Sequence, residues 1–190
     1  MNCNIDITGV VLKTERLVLR EWRLSDLEDF YEYCSVDGVG QMAGWLPHKN
    51  REESLRILNH FIDGKHTFAL EYQGKVIGSL GLEAYTEDEY PELQKYQGRE
   101  IGYVLSKDYW GRGLMPEAVR EAMRYMFEDV GADFLLCGHF LENRQSARVQ
   151  QKCGFRYYRY NIHHGITGDR EGIMNFISRK QWLEMNEGQK

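Results

Sequence analysis

One short stretch of the chain, residues 99–118, places a strand, a glycine turn and a helix directly after one another. The strand is predicted over Arg99–Leu105, and the turn contains Gly111 and Gly113. Because neither glycine has a Cβ atom, their backbone N–H groups can approach an anion closely, and the dipole of the following helix adds roughly half a positive charge at the same point. The stretch therefore predicts a phosphate-binding turn. The alternative is an ordinary strand-to-helix connection.

The helix after this turn is indicated by its apolar spacing and by its ends. Pro116 falls in the first turn, where its missing N–H costs no hydrogen bond, and Gly131 follows the last turn. Apolar residues recur every three or four positions, at Ala118, Val119, Ala122, Met123, Met126 and Phe127. Proline at position 116 also excludes the third glycine of a dinucleotide-binding motif, and the Lys-Ser/Thr pair of a P-loop is missing.

A second block follows this helix. Residues 135–140 have the pattern of a buried strand, and residues 143–155 have the pattern of a short helix closed by a glycine. In this order, the two blocks resemble the GNAT superfamily, the acyl-CoA-dependent N-acyltransferases. In that family the Gly-x-Gly turn holds the pyrophosphate of coenzyme A. The segment that begins here at Asn143 lines the other side of the cofactor in the same family.

The beginning of the chain extends the resemblance. Residues 14–20, followed by residues 24–29, are similar to the opening strand and first helix of the branch that contains the ribosomal-protein-alanine acetyltransferases, the RimJ- and RimL-like enzymes. Ser25 and Glu28 have the spacing of a capping box at the start of that helix. The resemblance spans residues 14–182.

The fold class expected is α+β, a mixed α/β arrangement, in a single domain over residues 1–190 with its core over 14–182. We expect a twisted, mostly antiparallel central sheet of about six to seven strands with helices on both faces. Strands are predicted at 14–20, 67–72, 75–85, 99–105, 134–140, 155–162 and 170–177. Helices are predicted at 25–35, 51–63, 114–129 and 143–152.

Composition and charge argue against several classes of protein. The net charge of −5 disfavours general nucleic-acid binding, and no apolar run approaches the roughly 20 residues of a membrane span. The first residues lack the pattern of a signal peptide, so we expect a cytoplasmic protein. The four cysteines lack zinc-site spacing and are expected to be reduced. The adjacent His163 and His164 are expected in a solvated loop, and we predict no metal site.

The resemblance implies acetyl-CoA as co-substrate and a set of residues that hold it. These are Tyr103, Val104, Leu105, Trp110, Gly111, Arg112, Gly113, Leu114, Met115, Asn143, Ser146 and Arg148. Basic side chains cluster in the same two blocks, as the phosphates of coenzyme A require, at Lys107, Arg112, Arg144, Arg148 and Lys152. Arg112, inside the turn, is the strongest candidate among them for a phosphate contact.

Acetyl transfer to an amine needs a base, because a protonated amine cannot attack a thioester. Glu100 is the first candidate. In related enzymes a carboxylate at the matching point of Glu-Ile-Gly-Tyr draws the proton, and burial beside a sheet would raise its pKa. The alternative is a structural pair with Arg99 or a lysine. His139 is the second candidate base, and a core or surface histidine is the alternative there.

The departing thiolate benefits from a hydrogen-bond donor. Many members of the family place a tyrosine seven residues after the asparagine, but Gln150 occupies that position here. Ser146 matches the serine that the ribosomal-protein branch uses instead, so it is the candidate donor. A helix-capping hydroxyl is the alternative for Ser146.

The acceptor is an amine whose identity these residues leave open. Candidate contacts are Glu83, Tyr85 and Trp45, and the acidic run over 83–92 forms either a cation-attracting rim or a solvated loop. The resemblance favours a protein N-terminal α-amine, attacking directly in a ternary complex. The alternatives are a polyamine or aminoglycoside acetyltransferase and a non-catalytic sensor that binds coenzyme A. A homodimer is a candidate assembly.

Overall fold

The computed structural model describes residues 1–163 and 168–187. The strands are β1 (Val11–Lys13), β2 (Val18–Arg20), β3 (Thr67–Tyr72), β4 (Lys75–Glu83), β5 (Gly98–Leu105), β6 (Phe134–Phe140), β7 (Arg156–His163) and β8 (Arg170–Ser178). They form one open sheet in the order β1-β2-β3-β4-β5-β6-β8-β7. Within the described residues, neighbouring strands run antiparallel except β5 and β6, which are parallel.

Helices cover both faces of this sheet. They are α1 (Leu27–Cys34), α2 (Arg51–Gly64), α3 (Leu114–Arg124), α4 (Arg144–Lys152) and α5 (Arg179–Glu187). α1 and α2 pack on one face around Phe30 and Leu58. α3, which continues as a π-helical segment over Tyr125–Val130, packs on the other face around Val119 and Met123. In the part of the chain that the structure describes, no helix combines the length and apolar character that a membrane crossing requires.

The predicted mixed α/β fold, a single domain with helices on both faces of a mostly antiparallel sheet, is confirmed. Over residues 1–163 and 168–187 the sheet has eight strands rather than the six to seven expected. The segment predicted as one strand over 14–20 is instead a turn and a short strand, because the Thr14 N–H donates to the Leu17 carbonyl (2.9 Å) and separates β1 from β2. Helix α5 lies outside the predicted elements, and its Trp182 packs on Phe127 with ring centroids 5.4 Å apart.

The predicted capping box of Ser25 and Glu28 is wrong. A 3-10 turn over Leu24–Asp26 precedes α1, and the carboxylate of Asp26 accepts from the backbone N–H of Arg23 (2.8 Å). The same carboxylate pairs with the buried guanidinium of Arg20 (2.8 Å). A buried cation needs a buried partner, so Asp26, rather than Ser25, makes the hydrogen bonds that fix the start of this helix.

Candidate active site

The two parallel strands separate at the centre of the sheet. They pair only from Gly98 with Phe134 to Glu100 with Leu136, although β5 and β6 both continue for several residues beyond the last pair. After that point the two backbones no longer bond to each other. The separation leaves a slot in the sheet, with α3 and α4 on one face.

A cavity of about 350 Å³ lies on the helix face of this slot. Its walls include all the predicted cofactor residues except Arg112, namely Tyr103, Val104, Leu105, Trp110, Gly111, Gly113, Leu114, Met115, Asn143, Ser146 and Arg148. Lys152, predicted as one of the basic side chains beside the cofactor, also lines the cavity. The remaining lining residues were not among the predicted site residues; they are Val39, Met42, Ala43, Tyr109, Pro116, Gln145 and Val149.

The glycine turn forms one end of the cavity. Gly111 and Gly113 adopt the left-handed backbone conformation, with φ of +73° and +76°, which residues other than glycine rarely adopt. A Cβ atom at Gly111 would meet no atom within 4 Å, so the space beside this backbone is open. Because α3 begins directly after Gly113, the unpaired N–H groups of its first turn lie at the same end. Backbone donors and open space are what an anion site needs.

The N-terminal segment anchors this turn. Arg16 donates from Nη1 to the carbonyl oxygen of Arg112 (3.0 Å) and from Nε to Glu117 of α3 (2.7 Å). Thr14 donates from its hydroxyl to the same carboxylate (2.5 Å). Residues that resemble the opening of the ribosomal-protein branch therefore hold the glycine turn against its helix.

The side chain of Arg112 takes a different place from the one expected. Its guanidinium lies 5.2 Å from the ring centroids of both Tyr72 and Tyr109, and donates to the Tyr72 hydroxyl (3.0 Å). Arg112 is not among the residues that line the cavity, whereas Arg148 and Lys152 of α4 are. The basic charge on the cavity wall therefore comes from α4 rather than from inside the turn.

A loop that precedes α2 forms the opposite wall. Its 3-10 turn over Gly40–Ala43 places Met42 at the cavity, next to Val39. The side-chain amide of Asn143 donates to the Met42 carbonyl (3.0 Å), and the Asn143 side-chain oxygen accepts from the Ser146 N–H (3.0 Å). Asn143 thus caps α4 and ties the loop across the cavity with one side chain.

Ser146 faces the cavity within a hydrogen-bond network. Its Oγ lies 2.9 Å from the Tyr103 hydroxyl and 3.1 Å from Nε2 of Gln150. Ser146 and Tyr103 both line the cavity. A helix-capping hydroxyl was the alternative role for Ser146, but the cap of α4 uses the Ser146 backbone N–H, which donates to Asn143. The Ser146 hydroxyl is therefore available to a group in the cavity.

Glu100 lies on the face of β5 opposite the helix α3. Burial raises the pKa of its carboxyl to about 7, and the negative charges of Glu83 and Glu89 act in the same direction, against a hydrogen bond from the Gly138 backbone. An ideal Cβ at Gly138 would lie 3.4 Å from the Glu100 carboxylate, so the carboxyl lies next to the Gly138 backbone of β6, beside the slot. A group with this pKa can both accept and release a proton near neutral pH.

The neighbours of Glu100 exclude one of the alternatives for it. Arg99 donates from Nε to the carbonyl oxygen of Cys3 (2.7 Å), so the alternative pair of Glu100 with Arg99 does not form. Glu83 is the register partner of Glu100 on β4, and its carboxylate lies 3.0 Å from Nε2 of His66. The negative charge of Glu83, directly opposite, disfavours charge on Glu100 and explains part of the raised pKa of Glu100.

Two predicted acceptor contacts pack into the core. Tyr85 is 4% exposed, and its ring packs on Tyr90 and Phe134 with centroids 5.5 and 5.6 Å apart. The ring of Trp45 covers Gly40, where a Cβ atom would lie 2.2 Å from it. Neither Tyr85 nor Trp45 lines the cavity, and their role as acceptor contacts stays a prediction.

The acidic run makes contacts within the chain. Glu87 accepts from the backbone N–H of Asn2 (2.7 Å), and Glu89 pairs with Arg159 of β7 (3.2 Å). Glu92 accepts from the hydroxyl of a β7 tyrosine. These carboxylates hold the loop between the N-terminal segment and β7.

His139 and His163, two histidines considered from the sequence, lie in different surroundings. His139 lies on the α3 face of β6 with Leu135, and burial lowers its pKa below the usual value. His163, expected in a solvated loop, ends β7 and packs on the Phe140 ring at 5.2 Å. His164 lies outside the described residues. Within those residues, the four cysteines are free and buried, and no group of three or more His, Cys, Asp or Glu side chains is placed to hold a metal.

Residues 16–156, most of the chain, match the family model described as an acetyltransferase (GNAT) domain. This chain belongs to the GNAT acetyltransferase family. A GNAT relative, the uncharacterized N-acetyltransferase YoaA of Bacillus subtilis, is 26% identical over 160 residues, which are 77% of this chain and 82% of YoaA.

Solved structures share the GNAT fold. A GNAT acetyltransferase from Bacillus anthracis superposes with a TM-score of 0.77 at 22% identity, over 90% of this chain and 99% of the other. RimL, a ribosomal L7/L12 α-N-protein acetyltransferase in complex with coenzyme A, superposes with a TM-score of 0.74 at 14% identity, over 88% and 97%. At these identities the likeness shows a common fold.

As a GNAT protein, the chain is an acetyl-CoA-dependent N-acetyltransferase. Its cavity has the features that coenzyme A requires. The open glycine turn and the N-terminus of α3 suit the pyrophosphate, and Arg148 and Lys152 suit the negative charge of the phosphates. Glu100 lies on the other face of the sheet, next to the point where the pairing of β5 and β6 ends.

Proposed function

We propose that this GNAT enzyme transfers the acetyl group of acetyl-CoA to the α-amino group of a protein N-terminus. The observation that carries the proposal is Glu100, a carboxyl whose pKa is about 7, beside the slot and on the face opposite α3. Acetyl-CoA would be held by Gly111, Gly113 and Arg148 and would supply the activated acetyl group. The acceptor amine would approach from the Glu100 face.

In this proposal Glu100 is the general base. The α-amine is protonated at neutral pH, and Glu100 takes its proton, directly or through a water molecule. The nitrogen then attacks the acyl carbon, and the electron pair of the C–S bond passes to sulfur as that bond breaks. Ser146 donates a hydrogen bond to the sulfur. His139 remains the second candidate base, on the other face of the sheet from Glu100.

The lower pKa of an α-amine favours it over a lysine-like amine as the acceptor, whichever group is the base. An α-amino group has a pKa of roughly 8, so proton transfer to a carboxyl of pKa about 7 is uphill by about one unit. A lysine-like amine has a pKa of about 10.4, and the same transfer is uphill by more than three units. Each unit costs about 1.4 kcal/mol, so the α-amine is deprotonated far more readily at this site.

The acidic loop uses part of its charge within the chain. Glu87 contacts Asn2 and Glu89 contacts Arg159, which reduces the charge that the loop offers a multiply charged small amine, although the Glu89 side chain stays 55% exposed. RimL, which shares the fold, is by its description an α-N-protein acetyltransferase. The candidate homodimer and the cytoplasmic location stay predictions of the same proposal.

An amine panel tests the acceptor. Peptides with a free N-terminus, the same peptides with a blocked N-terminus and one lysine, spermidine and an aminoglycoside are each incubated with acetyl-CoA. Thiol release and the mass of the product are then measured. We expect acetylation of the free N-terminus, with kcat/KM at least about tenfold above the lysine of the blocked peptide.

Other outcomes would identify the alternatives. Efficient acetylation of spermidine or the aminoglycoside, without acetylation of peptides, would assign a small-molecule acceptor. Tight acetyl-CoA binding by calorimetry, without thiol release for any amine, would indicate the non-catalytic sensor.

A further inference from the structure

Position 150 is where this chain departs from the tyrosine of many GNAT relatives, and Gln150 is fully buried there. Its Nε2 donates to the carbonyl oxygen of Gly138 (2.9 Å) and to Oγ of Ser146 (3.1 Å). Its Oε1 accepts from the side-chain amide of Asn175 (2.6 Å). The side chain therefore joins β6, β8 and α4 at the slot without lining the cavity.

These contacts determine which way the Gln150 amide points. A backbone carbonyl can only accept, so the atom that faces Gly138 must be the amide nitrogen. The second N–H of this nitrogen then faces Ser146, and the serine oxygen is an acceptor on that side. The single proton of Ser146 is left to point toward Tyr103 or into the cavity.

Tyr103 allows the second direction. Its hydroxyl lies 2.9 Å from the Ser146 Oγ and 3.2 Å from the Ser146 carbonyl oxygen, and burial raises its pKa well above the usual value, so it keeps a proton that it can donate to either oxygen. When Tyr103 donates to the Ser146 Oγ, that oxygen accepts two hydrogen bonds and its own hydrogen is free for a group in the cavity. A negative charge in the cavity would stabilise this arrangement, because hydrogen bonds to charged acceptors are the stronger ones.

We infer that Gln150 is a positioning residue that holds Ser146 as a hydrogen-bond donor to the leaving sulfur. The inference rests on the proposed acetyl transfer at this site. As the C–S bond breaks, its electron pair moves to sulfur, and Ser146 stabilises the thiolate without giving up its proton. The two protons lost by the ammonium go to Glu100 and to solvent, and the thiolate is protonated from solvent. Gln150 thus takes no part in the bond changes and acts only through Ser146.

A double-mutant cycle with Gln150→Met and Ser146→Ala tests the inference. Methionine keeps the volume of the side chain and removes the amide. We expect each single variant to lower kcat for a peptide acceptor by about tenfold or more, with KM and the acetyl-CoA dissociation constant within about twofold. The double variant should match Ser146→Ala, because Gln150 has nothing left to position.

Two further variants keep the test decisive. Gln150→Glu replaces the donor by an acceptor and should lower kcat at least as much as Gln150→Met. Asn175→Ala leaves Gln150 in place but removes one of the two contacts that orient its amide, the other being the Gly138 carbonyl. We expect a several-fold loss of kcat from Asn175→Ala alone and no further loss when it is added to Ser146→Ala. Thermal unfolding shows whether each variant is folded. If the Gln150 variants are not folded, Asn175→Ala provides the test instead.

The outcomes separate the two proposals. Equal losses from Gln150→Met with and without Ser146, or no loss at all, would overturn the inference, since a structural role adds independently. A wild-type protein that transfers no acetyl group to any amine would remove the proposed function and this inference together. An active wild type with additive losses removes this inference alone.

Discussion

The two faces of the slot between β5 and β6 are built in different ways. On the cavity face the glycine turn, the start of α3 and the N-terminus of α4 come from two continuous blocks, residues 99–118 and 143–155. On the other face, burial raises the pKa of Glu100, and the charges of Glu83 of β4 and Glu89 of a distant loop act in the same direction. Cofactor binding thus depends on local backbone geometry, whereas reactivity depends on burial and on charges that only the assembled sheet brings together.

This difference has a consequence for mutagenesis. Changes at the glycine turn should alter acetyl-CoA affinity, and changes at Glu100 should alter turnover. A variant that moved both quantities equally would show that the two faces do not act separately.

The largest expected effect is that of Glu100→Gln. The amide keeps the shape of the side chain but cannot accept a proton, so turnover should fall by about a hundredfold or more. Acetyl-CoA affinity, measured by calorimetry, should stay within about twofold. Glu52→Gln, an exposed residue of α2, is the matched control and should leave turnover unchanged. Near-normal turnover in Glu100→Gln would move the role of base to His139 or water.

The same substitution should also stabilise the protein above neutral pH. The pKa of Glu100 is raised from 4.5 to about 7, so the folded state binds a proton that the unfolded state has lost, and stability falls as pH rises between these values. Glutamine removes this dependence. We expect the gain in unfolding free energy of Glu100→Gln over wild type to grow by about 2–3 kcal/mol from pH 4.5 to pH 8, measured by denaturant titration. An equal gain at both pH values would contradict the raised pKa.

A smaller effect is expected on the cavity face. Gly111→Val places a branched side chain in the open space beside the turn and should weaken acetyl-CoA binding by about tenfold or more. Gly131→Val is the matched control, because Gly131 also has a positive φ (+81°) and open space around its Cβ position but does not line the cavity. Both variants strain the backbone. Only Gly111→Val should lose affinity for acetyl-CoA. Equal losses of affinity in the two variants would show that backbone strain, rather than the blocked space beside the turn, causes the effect.

The features that could be predicted from the sequence are the local ones. The Gly-x-Gly turn and the apolar spacing of α3 are contained in adjacent residues, and the structure places the cavity at them. The strands of the N-terminal segment were harder to predict. Its turn at Thr14 carries no glycine or proline, so the pattern did not distinguish one strand from two short ones.

Other features depend on partners far away in the chain. Arg112 does not line the cavity because its guanidinium packs on the ring of Tyr72 of β3 and donates to the Tyr72 hydroxyl. The acidic run could not be recognised as a structural loop, since the contacts of Glu87 and Glu89 come from Asn2 and Arg159. The role of Gln150 required the strand register that brings Gly138 and Asn175 together.

The most direct measurement of the central claim is the pH dependence of acetyl transfer to one peptide N-terminus, compared between wild type and Glu100→Gln from pH 5.5 to pH 9. The deprotonation of the peptide amine contributes equally to both. In wild type, kcat/KM should in addition rise through a titration near pH 7, the pKa of Glu100, and this titration should be missing in the variant. Identical pH profiles for the two proteins would contradict the assignment of Glu100 as the base.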